Sequence, residues 1–117
     1  MSAHVVFEAI DKNNPATLSK IVIRDVIRKQ LGYNGLLMTD DLSMKALSGS
    51  FAEKTAAALN AGCDVVLHCN GVIEEMEQVA KAMVRAKAAL KHRRKPQRFD
   101  TKVALKDWET VMEAAFA

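Results

Sequence analysis

Leu36-Leu37-Met38-Thr39-Asp40-Asp41-Leu42-Ser43-Met44 is a short apolar run that stops abruptly in two adjacent carboxylates. Its first half, Leu36–Thr39, reads as a buried strand entered from Gly35. Neighbouring strand residues face opposite sides of a sheet, so Asp40 and Asp41 look the same way only if the strand has already ended. Folding requires no acid at this point. Acid at the carboxyl end of a parallel strand lowers stability, but that rim is where α/β folds build their sites.

Two further runs flank it, Ala3–Phe7 and Val65–Cys69, giving three strands that start about 30 residues apart, the βαβ period. None alternates cleanly, as expected of strands covered on both faces. The intervening sequence reads as helix. Ser19 to Leu31 places Val22, Ile23, Val26, Ile27 and Leu31 on one stripe, and Gly32 follows as a left-handed terminator. Ser50-Phe51-Ala52-Glu53 is a capping box that opens a helix ending at Gly62. A third helix follows Asn70-Gly71 with Val72, Met76, Val79, Met83, Ala86 and Leu90 as its stripe. Its methionines fit a partner-binding face or, the favoured assignment, a core face packed on the sheet. A fourth helix starts at Asp100, with Val103, Leu105, Trp108, Met112 and Phe116 as apolar surface.

The order β-α-β-α-β-α-α leaves an open three-stranded parallel sheet with two bare edges, which natural proteins avoid. Either another chain completes the sheet or the fold belongs to something larger. The 117 residues suffice for one core. Half of them are hydrophobic and 26% are charged, a globular profile. No run approaches the ~18 apolar residues of a membrane span, and Met1-Ser2-Ala3-His4 opens no secretory signal, so the expected compartment is the cytoplasm. The net charge is +3, and much of the basic excess lies in Lys91–Arg98. That run suits an anionic partner, but no aromatic is interleaved for base stacking. It is assigned instead to a solvated helix end and a basic linker, 91–99, so neither nucleic acid nor membrane is expected as a partner. Cys63 and Cys69 lie six apart, which is no zinc spacing; a disulfide is conceivable, but both are expected as free buried thiols, and no metal site is expected.

From Leu31-Gly32-Tyr33-Asn34-Gly35 through Thr39-Asp40-Asp41-Leu42-Ser43-Met44-Lys45-Ala46, the chain closely resembles the nucleophile segment of family 3 glycoside hydrolases, in their bacterial β-N-acetylhexosaminidase branch. Ala3–Phe7 is similar to the sixth barrel strand of that branch, and Ala61–Asn70 to its eighth strand and the following turn. The resemblance runs to about Leu90 and weakens beyond it. It implies an α/β fold that is part of a (β/α)₈ barrel: the last three βα units, three parallel strands, plus a C-terminal helix. Residues 1–117 are then a single C-terminal portion of a barrel that needs ~250 residues.

The resemblance implies that Asp40 is the nucleophile of a retaining hydrolysis of terminal β-linked N-acetylglucosamine in peptidoglycan recycling. The alternative, that Asp40 caps the turn over Leu42–Ala46, is the lesser one. Asp41 is expected as an Asx-turn acceptor that shapes the loop, with substrate binding as the alternative, an alternative the resemblance also implies for His4. Ser43 and Met44 either line the sugar subsite or pack the loop. His4 and His68 are strand histidines that could face the barrel mouth, although such residues usually serve packing and hydrogen bonding. The implied partner is an N-acetylglucosamine-containing saccharide, and no cofactor is implied. The family's acid/base, a histidine backed by an aspartate on a Lys-His-Phe-Pro-Gly-His-Gly loop, has no counterpart in these residues. Neither do the arginine and lysine that hold the sugar. This chain alone is therefore expected to be inactive, with self-association or a companion half barrel as the route to closing its sheet edges.

Two readings from other classes compete. A phosphoacceptor receiver domain also pairs acids at a strand end, but it needs five strands, a third acid and a later lysine. A non-catalytic homo-oligomeric structural or binding module would complete the sheet with its own copies.

Overall fold

A computed structural model describes residues 1–89. The basic linker 91–99, the helix expected from Asp100 and the end of the third helix's stripe at Leu90 lie outside the described residues.

The sheet has two strands among the described residues. Strand β1 (Met38–Asp41) runs parallel to β2 (Val65–Leu67). Met38 pairs with Val65 and Asp41 with Leu67, so β1 carries one more residue than β2 between the same two pairings. Part of the cause is local. The Leu67 N–H goes to the buried Thr39 hydroxyl (2.9 Å), a side chain in place of a ladder carbonyl. Such an irregularity re-aims side chains at a strand end. Both acids fall inside β1, where the sequence suggested a strand ending at Thr39.

The expected strand Ala3–Phe7 does not form, so the three-stranded sheet is corrected to two. Ser2 N–H reaches Met38 O (2.8 Å), which brings the segment beside β1, but the Ala3 and Val5 carbonyls accept from the Thr17 and Ala16 amides instead of joining a ladder. Val5, Val6 and Phe7 stay 44–51% exposed, so the apolar run is not covered on both faces. The loop that supplies those amides is organised by Asp11, whose carboxylate accepts from the Asn13 and Asn14 amides and from the Ser19 hydroxyl (2.7 Å).

A 3₁₀ turn (Ala16–Leu18) leads into a π-helix (Ile21–Gln30). Ser19 Oγ accepts from the Val22 amide at its start, and Gly32, at φ +65°, follows its end. The bonds skip five residues, as in Leu31 N to Val26 O (2.9 Å), where a 3.6-residue period had suggested an α-helix. Helix α1 (Phe51–Ala61) has the full Ser50–Glu53 capping box and stops at Gly62. Gly62 sits at φ +120°, and an added Cβ would stand 3.0 Å from Ile23 Cγ2, so close packing and backbone conformation both select glycine here.

Helix α2 (Ile73–Ala89) packs on α1. Of the expected stripe, Val79 is buried and Met83 half-buried, but Met76 is 46% exposed and Val72 40%; among the described side chains Ala82, outside the stripe, is the other buried one. Ala52 and Ala56 of α1 face Gln78, Lys81 and Arg85 of α2 across an open hollow, because alanine side chains are too short to fill it.

Ile23, Leu37, Ala61 and Cys63 form a buried cluster joined by Ile27, where the π-helix meets β1 and the end of α1. At the amino end of the strands Arg28 donates to the Tyr33 and Gly35 carbonyls (3.0 and 2.6 Å) and to Asp64 Oδ2 (2.7 Å), which also accepts from the Leu37 amide (2.9 Å). This clasp fixes the entry of both strands and hence the register in which their carboxyl ends meet.

Candidate active site

The carboxyl ends of β1 and β2 are tied together by two main-chain donors. Leu42 N–H donates to Leu67 O (2.9 Å), and Cys69 N–H donates to Asp41 Oδ1 (3.1 Å). Asp41 Oδ1 also accepts from the Ser43 amide (3.0 Å), and Oδ2 from the Ser43 hydroxyl (2.5 Å). Both oxygens of Asp41 are thus engaged in folding the turn. Burial pushes its carboxyl upward and is the largest single influence. The Ser43 hydroxyl, the Ser43 and Cys69 amides and the charge of His68 together outweigh it and hold Asp41 below its ordinary 3.8.

Asp40 differs. Its Oδ1 accepts the Asp41 amide (2.9 Å), and Oδ2 has no hydrogen-bond partner among the described residues. The side chain is half-buried at the strand's end. One acid therefore shapes the loop, and the other presents an oxygen that no protein donor occupies.

The other residues singled out from the sequence fall into place around this turn. His4 spans the gap between the N-terminal segment and β1. Its Nε2 lies 2.9 Å from Asp41 O, a pure acceptor, so Nε2 carries the proton. Nδ1 then accepts from the Thr17 hydroxyl (3.0 Å), and Thr17 in turn accepts from the Ser2 hydroxyl (2.9 Å). Both ring nitrogens of His4 are engaged within the protein. Ser43 is bound to Asp41, and Met44 is 45% exposed on the loop. His68, just past β2, packs edge-on against Phe51, with ring centroids 4.9 Å apart.

Lys54 was not singled out from the sequence. It is buried, its Nζ donates to Leu42 O (3.3 Å), and it stands 4.8 Å from the Phe51 ring centroid. The signal existed, since Lys54 shares the buried face of α1 with Thr55, Ala58 and Leu59 at helical spacing. It braces the turn from below. Among the described residues no group of three His, Cys, Asp or Glu side chains could hold a metal ion.

This arrangement can do one kind of chemistry well. A carboxylate oxygen held at the rim by a rigid turn can attack an electrophilic carbon or stabilise positive charge opposite it.

Comparison with known proteins identifies the family of the chain. Residues 1–99 match the family described as glycosyl hydrolase family 3 N terminal domain. A β-hexosaminidase from Tolumonas auensis is 43% identical over 72 residues, covering 60% of this chain and 21% of its own. One from Pasteurella multocida is 36% identical over 107 residues, covering 87% and 30%. The solved β-N-acetylglucosaminidase of Thermotoga maritima superposes with a TM-score of 0.63 at 32% identity, covering 74% of this chain and 19% of its own. The chain thus spans between a fifth and a third of the length of the relatives it matches. With a parallel α/β core of the same shape and a family pattern matched over most of its length, this chain belongs to the glycosyl hydrolase family 3 N-terminal domain family.

Proposed function

We propose that this chain carries the nucleophile of a retaining β-N-acetylhexosaminidase acting on terminal β-linked N-acetylglucosamine of cell-wall saccharides during peptidoglycan recycling. Asp40 is the residue assigned that role. The single observation behind the choice is the unequal use of the two acids: both oxygens of Asp41 are taken up by the turn, while Asp40 Oδ2 has no donor among the described residues. The names of the relatives supply the sugar.

In the proposed reaction an Asp40 oxygen bonds to the anomeric carbon as the glycosidic C–O bond breaks, giving a covalent glycosyl-enzyme. Water then attacks the same carbon, releasing Asp40 and the sugar with retained configuration. The leaving oxygen needs a proton in the first step. In this family it comes from a histidine loop with no counterpart in these 117 residues. A missing general acid lowers the rate by ~10²–10⁴-fold, and missing sugar-positioning contacts lower it further. The 117-residue chain by itself is therefore proposed to be inactive.

The test is a chromogenic N-acetylglucosaminide assay of this chain alone and of this chain mixed with the remaining barrel units of a β-hexosaminidase relative. Activity is expected only in the mixture, and it should vanish with Asp40→Ala. Turnover that survives Asp40→Ala in the mixture would refute the assignment of the nucleophile.

A further inference from the structure

His68 has surroundings that the proposed chemistry leaves unused. Its side chain is only 5% exposed, yet neither ring nitrogen makes a hydrogen bond with the described residues. Native proteins rarely bury an imidazole that way, and each instance calls for a reason. Nε2 stands 3.3 Å from Glu75 Oε2, on the first turn of α2, without the alignment of a hydrogen bond. Glu75 Oε2 is itself held by the Asn70 side-chain amide, from the loop that joins β2 to α2. A positive charge on the imidazole favours the ionised form of Asp41, and the next residue, Cys69, donates its amide to that carboxylate. The ring rests on Phe51, and the opposing cation is Lys54 of α1, which leans on the same aromatic ring.

His68 also sits between the two residues that grip β1. Leu67 O accepts from Leu42, and the Cys69 amide donates to Asp41. The His68 side chain, seated against Phe51 and 3.3 Å from Glu75, anchors the stretch of main chain from which both contacts are made.

We propose that His68 is a positioning residue of the acidic turn: anchored at Glu75 and joined to Asp41 through the Cys69 amide, it holds the 67–69 main chain in the register that grips Asp41 and so sets where Asp40 is presented. The role of Asp40 rests on the function proposed above; the Glu75–His68–Cys69–Asp41 bridge does not. The charges facing His68 are those of Asp41 from β1, Glu75 from α2 and Lys54 from α1.

The test uses nuclear magnetic resonance on the whole 117-residue chain and needs no turnover. The Cys69 amide reports directly on the Asp41 carboxylate it binds. H68F keeps an aromatic ring against Phe51, so a role confined to packing leaves that amide unchanged. The bridge predicts two changes in H68F: the acid-induced transition of the Cys69 amide moves up by ~0.5 pH unit or more as the favourable charge is lost, and its hydrogen exchange near neutral pH speeds up ~10-fold. E75Q, which removes the anchoring charge at a side chain 28% exposed, is expected to speed Cys69 exchange as well. If H68F titrates and exchanges as the wild type does, the bridge is overturned. If H68F does not fold, E75Q decides: unchanged exchange at Cys69 overturns the bridge, and faster exchange supports it. Persistent turnover with Asp40→Ala would instead sink the nucleophile assignment and leave the Cys69 result standing.

Discussion

Asp40 and Asp41 are chemically identical neighbours with different surroundings, and hydrogen bonds make the difference. Asp41 is held ionised by donors that exist only in the folded chain. A carboxyl that is depressed on folding contributes stability in full above its unfolded value of about 3.8, and that contribution is lost as pH falls through the lower folded value. Denaturant midpoints should therefore drop on going from pH 5 to about pH 2.5–3. Asp41→Ala should lower the midpoint at pH 7 and flatten this acid slope, and an unchanged slope would contradict the turn described here. The cysteines make a second contrast at this scale. Burial pushes the Cys63 thiol up to about 11, while Cys69 is exposed. A thiol-modifying reagent at pH 8 should label Cys69 within minutes and reach Cys63 only on unfolding, which mass mapping of the labelled peptides checks.

At the scale of elements, some features are written in adjacent residues and others are not. The Ser50–Glu53 box was legible because all its atoms belong to four consecutive residues, and the structure contains both of its bonds. The strand cores at Met38–Thr39 and Val65–Leu67 were legible as short apolar runs, although they are half-buried apart from Thr39, and not covered on both faces as their composition suggested. Ala3–Phe7 carried the same apolar signal but not the outcome, because its carbonyls are claimed by Ala16 and Thr17, residues far enough along the chain that no local pattern announces them. The same limit hid the bridge from Arg28 to Asp64, two charged residues 36 positions apart. Their energies should differ in the same sense. Ser50→Ala removes one cap and should lower stability by about 1 kcal/mol. Arg28→Ala takes the guanidinium from two carbonyls and from Asp64, which keeps only the Leu37 amide, in a site where the paired side chains are 11% and 17% exposed, and should lower stability by about 3 kcal/mol. Equilibrium denaturation of the two variants orders them, and a smaller loss for Arg28→Ala than for Ser50→Ala would show that the clasp does not hold the strand entries.

At the scale of the whole molecule, the candidate site was more legible than the fold around it. The acidic turn is compact in sequence, so Asp40, Asp41 and Ser43 could be named together, whereas Lys54 and Thr17 reach the turn only through tertiary packing. Among the described residues the sheet has two strands, with the N-terminal stretch lying beside them unpaired in any ladder. Met1, Val5, Val6, Phe7 and Ile10 expose 41–71% of their surface there, and Phe7 and Ile10 border an apolar hollow of about 310 Å³ together with Val22, Val26 and Ile27. Contiguous apolar surface of this kind drives association when no partner covers it. Sedimentation at tens of micromolar should accordingly give a mass above the 12.9 kDa of one chain, and Val6→Asp with Phe7→Asp should shift it back toward the monomer, because two charges placed on that face oppose its burial. A monomeric wild type would mean that the N-terminal face is stable in water as it stands, and the case for a polypeptide that completes the sheet at this edge would fall with it.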